Sequence, residues 1–429
     1  MAKPRALIVG GSVGGLFAAH LLGSTGWDVD VFERVNEDLA SRGAGIGTHP
    51  ALREIMRRLG LSIDNSIVVV TPSYFCRDRT GRLILELPTP RMMSAWAPLY
   101  RGLRDNLRSA RYHRGKDCVE VRSSGGSVTA VFADGSQATG DLLVAADGIR
   151  STVRGQFLPD VKPDYAGYVA WRALVPERDV APATRAVLER EYLFCVPEGE
   201  LALCYVVPAR DGDTRVGHRD YNLVWYRPAD EAALAELCTD ARGRQHGGSI
   251  PPPLIRPEVV GGLREFARAE LPAPLVDVVE RTEQPFFQAI HDLASPRMVF
   301  GRVAVLGDAA FVARPHVGAG VTKAALDAFC LADAIAAAGG DLDAALARYD
   351  RERCRFGEWI VGRGRDLGAS IGVRARTEGH VTQDELDRRS AAAVGGYAAN
   401  AEELARLTID GRPPVGAADI RNPSVARKA

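Results

Sequence analysis

Apolar positions along this chain change rhythm from segment to segment, and each rhythm predicts an element. Residues 6–9 (ALIV) are an unbroken apolar run, residues 14–22 carry Leu16, Ala19 and Leu22 on related helical faces, and residues 29–32 return to a strand-like run. That succession predicts a βαβ unit. Pro50-Ala51-Leu52 opens a helix with Leu52, Ile55, Met56 and Leu59 at helical spacing, and Gly60 stands where a C-terminal cap belongs. Period-two alternation then dominates. Residues 73–87 read as two strands around a polar turn, residues 118–139 as hairpins through Gly125-Gly126 and Ala133-Asp134-Gly135, and residues 141–154 as a buried strand ending on Asp147-Gly148.

Residues 165–230 are β-rich and studded with aromatics ("YVAWRALV", "EYLFCV", "LALCYVVP", "YNLVWYR"), a pattern suited to a sheet that covers an organic ligand. Residues 231–295 read as helical pieces punctuated by prolines. The chain then resumes α/β grammar with a strand at 303–306, a helix from about 320 to 336 and another from about 343 to 366. Beyond 371 only short helical stretches such as 400–407 are expected, and the last eighteen or so residues read as a loose tail.

Composition narrows the function classes. At 429 residues the chain is long for one core, so two joined domains are expected. Lys plus Arg equals Asp plus Glu at 54 each, which leaves no basic surplus for nucleic acid or an anionic membrane surface and favours a small-molecule ligand. The seven cysteines form no CxxC pair and are odd in number, so neither a metal site nor a disulfide framework is signalled, and a cytoplasmic setting fits. Ala6 to Trp27 holds no Asp, Glu, Lys or Arg, yet six glycines interrupt it; a strand and helix buried in an α/β sheet explain it better than a membrane span or signal segment.

Chemistry enters through three glycine motifs. "ALIVGGSVGGLFAA" sets Gly10, Gly11, Ser12, Val13, Gly14 and Gly15 between a strand and a helix, which brings helix-start amides up to a pyrophosphate. Ser12 occupies the position of the second glycine in G-x-G-x-x-G. Glu33 ends the next strand, 23 residues after Gly10, where a carboxylate accepts from adenosine ribose hydroxyls. Together these predict an adenine dinucleotide without separating NAD from FAD. A further Asp-Gly at Asp147-Gly148 and a Gly-Asp at Gly307-Asp308, the latter followed by "ARPHVGAG", supply second and third contacts that only the longer FAD needs.

With "VGGSVGGLFAA" and Glu33-Arg34, "LLVAADGIRSTVR", and "GRVAVLGDAAFVARPHVGAG" in this order, the chain resembles the FAD-dependent aromatic hydroxylases, the single-component flavoprotein monooxygenases, over roughly residues 5–370. "GYVAWRALVPE", "YNLVWYRP" and "RPH" are similar to its pyridine-hydroxylating members. The resemblance implies an α/β protein in which an FAD-binding Rossmann-like βαβ domain (1–70, 98–160 and 296–370) is interleaved with a β-rich substrate domain (71–97 and 161–295), followed by C-terminal helices and tail (371–429). It implies that NADH or NADPH reduces FAD, that O₂ adds at C4a, and that the hydroperoxide hydroxylates an electron-rich aromatic or pyridine ring. A small aromatic partner is expected, with no nucleic acid and no membrane; a homodimer stays open.

Carried over by position, Gly10 to Gly15 match the pyrophosphate turn, Glu33 and Arg34 the adenosine end, and Arg42 with Gly45, Ile46 and Gly47 the segment beside the ring. Arg101 matches an arginine reaching the ribityl and phosphate region, Asp147 the middle motif, Asp308 the acid on the ribityl hydroxyls, and Gly318, Ala319, Gly320 and Val321 the helix start at the pyrimidine edge. Ala319 and Thr322 stand where the family often has glutamine or asparagine. For the acceptor of the substrate hydroxyl proton the candidates are His49, Tyr205 and His218, with His316 packing under the flavin loop and Cys204 a buried apolar thiol. Two other readings compete: a decarboxylating hydroxylase or oxidase on the same scaffold, and a non-enzymatic FAD-fold escort protein.

Overall fold

The computed structural model describes residues 3–39, 45–61, 67–108, 110–372 and 382–409. Arg42 and the last twenty residues, for which a contact and a loose tail were expected, lie outside these. Two large sheets organise the chain.

The first has six strands in the order Val299–Phe300, Val303–Val305, Leu142–Ala145, Arg5–Val9, Asp28–Glu33, Ala110–Arg114. All neighbours run parallel except the short Val299–Phe300 edge. Its central strands are buried almost throughout, which is why they read as apolar runs without alternation. From Arg5–Val9 the chain first builds outward to one side and later returns to build on the other. The end of that strand is therefore a topological switch point, where open α/β sheets bind ligands. The first glycine turn and the helix Val13–Ser24 leave from it.

The second sheet has nine strands: Phe311–Val312, Phe286–Ala294, Asp164–Pro176, Asp220–Pro228, Leu201–Val207, Glu191–Cys195, Val68–Arg77, Leu83–Ala95 and Gly45–Gly47. Side chains alternate between its faces. One face carries Trp171, Val175 and Trp225 against the helices Pro257–Glu270 and Ala273–Arg281. The opposite face carries Arg172, Asn222, Tyr226, Tyr205, Phe194, Tyr192 and Tyr74, a set fixed by the pairs Arg172↔Val224, Leu203↔Val224, Tyr205↔Asn222 and Tyr192↔Tyr74. Gly45–Gly47 and Phe311–Val312 belong to this sheet although their segments were expected to serve the cofactor side; these short strands are where the two halves of the molecule are stitched together. A three-stranded antiparallel sheet (Cys118–Ser124, Ser127–Phe132, Gln137–Gly140) forms the expected hairpins.

Two expectations change. Phe286–Ala294, read as part of a helical region, is a strand pairing with Asp164–Pro176. The C-terminal region holds one long helix, Gln383–Ala405, whose cap Thr382 accepts from the Glu385 amide at 3.3 Å. Its buried residues Val394, Tyr397, Ala401 and Leu404 recur every three or four positions, a stripe hidden in the sequence by the alanines and glycines between them. Tyr397 and Asn400 reach the third glycine motif from this helix.

Candidate functional site

At the first glycine turn the backbone leaves no room for side chains. Gly10 has φ +106°, and a Cβ there would overlap the Ala146 carbonyl; one on Gly15 would overlap the Gly10 carbonyl, and one on Gly11 the Tyr112 hydroxyl. Ser12 caps the helix in extended conformation without spending its hydroxyl on a cap bond. The first-turn amides therefore face outward without intrahelical partners. Glu33 pins the turn: its carboxylate accepts from Gly11 N at 2.8 Å and from Val35 N at 3.1 Å. Arg34 is exposed just beyond it.

Beside this turn, Asp147 follows the strand Leu142–Ala145. One of its oxygens accepts from Val153 N at 3.3 Å, while the other is buried with no partner, and burial pushes its pKa up. Asp308 follows Val303–Val305 in a turn held from behind, where the Gly307 amide donates to Asp327 (2.9 Å), itself paired with Arg353 at 2.7 Å. The Asp308 carboxyl is thereby presented outward, 58% exposed.

Three segments then converge. Gly318 adopts φ +64° and ends the Pro315–Val317 turn, Ala319 caps the helix Gly320–Ala337, and Val321 lies half-buried in its first turn. A Cβ on Gly47 would stand 2.9 Å from the Gly318 carbonyl, and one on Gly45 2.9 Å from the Tyr205 ring. Gly45, Ile46 and Gly47 thus form a thin wall between the glycine loop and the aromatic sheet face. Only glycine lets the backbone approach both neighbours this closely.

His49 closes the corner. Buried at 1% exposure, it meets Thr322 Oγ1 at 2.8 Å through Nδ1 and Arg91 at 3.2 Å through Nε2. A guanidinium only donates, so Nε2 accepts and the ring proton sits on Nδ1, donating to Thr322. Burial first, and the Arg91 charge second, pull its pKa down to about 3. For His49, expected as a proton acceptor, the lone pair that would take the proton already faces Arg91. Tyr205 stacks on Tyr192 with centroids 4.6 Å apart, and burial pushes its phenol up to about 12. His316 is enclosed by Tyr168 (2.7 Å), Tyr397 and the Tyr226 ring, and burial brings it down to about 3. It packs under the glycine loop as expected.

His218 does not join this group. It sits 55% exposed in the loop before Asp220–Pro228, 3.9 Å from Asp213, because the left-handed Gly217 and the Asp213–Arg215 pair hold that loop away from the sheet. Arg101, on the helix Trp96–Asp105, donates to the Arg210 carbonyl at 3.1 Å.

The sheet face supplies what motif reading missed. Arg172 projects between Tyr205, Tyr226 and His316, whose pKa values it perturbs; its Nε is buried without a partner, and among the described residues no carboxylate pairs with it. Asn222, one row away, is 1% exposed; its amide lies beside the Tyr205 hydroxyl, and neither of its polar atoms makes a hydrogen bond of good geometry. A half-buried cation whose Nε has neither solvent access nor a partner, beside a buried amide, costs about 1–3 kcal/mol per unmet polar group unless a ligand satisfies them. The signal was present in "YVAWRALV" and "YNLVWYR", where one charged and one amide residue interrupt apolar strands.

Comparison with known proteins decides the family. Residues 165–292 match the FAD binding domain-like family model. The chain is 30% identical over 370 residues to the 2,6-dihydroxypyridine 3-monooxygenase of Paenarthrobacter nicotinovorans, covering 86% of this chain and 91% of that one. The chain belongs to the FAD-dependent aromatic hydroxylases. Another member, the FAD-dependent urate hydroxylase of Klebsiella pneumoniae, is 29% identical across 82% of this chain and 86% of its own length. The solved 2,6-dihydroxypyridine-3-hydroxylase from Arthrobacter nicotinovorans superposes with a TM-score of 0.80 at 28% identity, covering 88% of this chain and 96% of that one.

As a hydroxylase of this family the protein is a monooxygenase that uses FAD, NAD(P)H and O₂, and the escort-protein reading falls away. Its cradle fits the cofactor: three glycines that tolerate no side chain, helix-start amides, and an unsatisfied Asp147 oxygen all await a long polar ligand. Among the described residues no helix is long and apolar enough to cross a membrane.

Proposed function

We propose that this hydroxylase acts on an electron-rich pyridine or related nitrogen heterocycle bearing hydroxyl or oxo groups, bound flat against the aromatic sheet face. The observation that carries this reading is the unpaired set on that face. The Arg172 guanidinium suits an oxyanion on the ring, and the Asn222 amide, with one donor and one acceptor end, complements the N–H and C=O edge of a pyridone. Tyr74, Tyr192, Tyr226 and Phe194 supply flat apolar area around them.

On the cofactor side, Gly10 to Gly15 hold the pyrophosphate, Glu33 and Arg34 flank the adenosine, Asp308 takes ribityl hydroxyls, and Gly318 to Val321 meet the pyrimidine edge. Arg101 and Asp147 border the same groove. When bound, FAD supplies the two-electron redox chemistry and the activation of O₂. The protein's own tasks are positioning, exclusion of water and ionisation of the substrate.

That ionisation needs no dedicated side-chain base. His49 has its lone pair occupied, and Tyr205 holds its proton too tightly to accept another group's near neutrality. The unpaired Arg172 charge instead lowers the pKa of a ring hydroxyl placed beside it, so the substrate binds as the oxyanion, the more nucleophilic form. The seven cysteines, all free, suit the reducing cytoplasm where NAD(P)H is available.

The test is a screen of NADH and NADPH oxidation over hydroxypyridines, phenols and benzoates, with product mass measured. Substrate-stimulated oxidation with a gain of one oxygen on hydroxypyridines is expected. Turnover confined to benzoates, or oxygen gain with loss of CO₂, would replace this reading.

A further inference from the structure

The helix Gly320–Ala337 begins with a residue that its surroundings do not explain. Lys323 lies in the first turn, 1% exposed. Its ammonium has no hydrogen-bond partner, and its nearest acid is Asp308 at 3.5 Å. The buried acid one helical turn on, Asp327, is already committed to Arg353 and the Gly307 amide, so it offers Lys323 nothing. A cation in the first turn of a long helix also stands against the helix dipole, whose N-terminal end is positive. Burial, missing hydrogen bonds and dipole therefore oppose this charge in the protein alone, and only the long ion pair with the largely exposed Asp308 favours it.

We propose that Lys323 is a cofactor-binding cation, its ammonium completing its hydrogen bonds on the ribityl–pyrophosphate segment of FAD beside Asp308 and favouring the reduced, anionic flavin. This rests on the reading that the ribityl chain crosses Asp308. Lys323 and the helix-start amides then act together: two positive features that repel one another become favourable once an anion lies between them. Asp308, exposed on its outer side, keeps the ammonium oriented toward the groove.

The experiment compares wild type, K323M and K323Q as purified apoprotein and holoenzyme, with folding checked by circular dichroism. FAD affinity is measured by flavin fluorescence and the midpoint potential of bound flavin by dye equilibration. In K323M the FAD dissociation constant is expected to rise on the order of tenfold or more, the value of a lost charge-assisted hydrogen bond. The flavin potential should become more negative in both variants, because both remove the charge, whereas K323Q loses less affinity because it keeps a donor. Apo K323M should melt higher than apo wild type, while the stabilisation gained on adding FAD shrinks. Affinity and potential equal to wild type in both variants would overturn the proposal while leaving the flavoenzyme reading intact. A wild-type protein that binds no FAD would instead remove the reading beneath it. If K323M does not fold, K323Q alone decides through its potential.

Discussion

The cofactor groove and the aromatic sheet face both leave polar groups for a ligand to satisfy, but they take their shape from different parts of the chain. Around the groove, shape is imposed by backbone. Gly10, Gly11 and Gly15 admit no Cβ, Glu33 spends both oxygens on the turn, and Asp327 is locked between Arg353 and Gly307. On the sheet face the backbone is ordinary β-structure, and selectivity falls to side chains left without partners, Arg172 and Asn222. Shape held by backbone tolerates almost no substitution, whereas side chains on a regular sheet can be exchanged without disturbing the fold. The same scaffold can thus keep one cofactor and change its ring substrate.

The sharpest way to break this comparison is Gly10→Val. Its side chain would collide with the Ala146 backbone on a left-handed residue, so FAD occupancy of the purified protein should fall by two orders of magnitude or more, read by the flavin-to-protein absorbance ratio. Arg172→Met should do the converse, leaving FAD occupancy unchanged while kcat/KM for an oxyanionic heterocycle drops on the order of a hundredfold. Equal activity would remove Arg172 from substrate recognition. Asp308→Ala should weaken FAD on the order of tenfold, measured by equilibrium dialysis. Full flavin retention would contradict its assignment.

A further effect concerns pH and is read in stability rather than in binding or turnover. His49 and His316 are held neutral, near 3 rather than 6.5. The unfolded chain takes up protons between these values that the folded chain does not. Stability is therefore complete above pH 6.5 and falls as pH drops toward 3, by up to about 1.4 kcal/mol per pH unit for each histidine. Replacing His316 by Phe should flatten the acid side of a plot of melting temperature against pH. An unchanged slope would mean that His316 does not titrate in this way. His49 should leave no inflection near neutrality in the activity profile.

How much could be read from the chain alone follows the same division. The three glycine motifs were legible because left-handed backbone and close approach demand glycine at fixed spacing after apolar runs. Arg172 and Asn222 were not singled out, although both lie within strands recognised as ligand-covering. Alternation along one strand defines two faces, but only the pairing of Tyr205 with Asn222 and of Arg172 with Val224 reveals which face gathers the polar groups. His218 misled because a loop histidine beside a strand gives no hint that Gly217 turns it outward. His49 stands beside Gly47, yet its neutrality comes from burial first and from Arg91, forty-two residues away, second, neither of which its own segment shows.

One spectrum tests the central claim most directly. A hydroxypyridine whose free form is neutral at pH 7 is added to the FAD-loaded enzyme, and the ultraviolet difference spectrum of the bound ring is recorded for wild type and Arg172→Met. The account predicts the oxyanion band in wild type and its loss in the variant. A neutral ring bound to wild type, or an oxyanion bound equally to both, would contradict it.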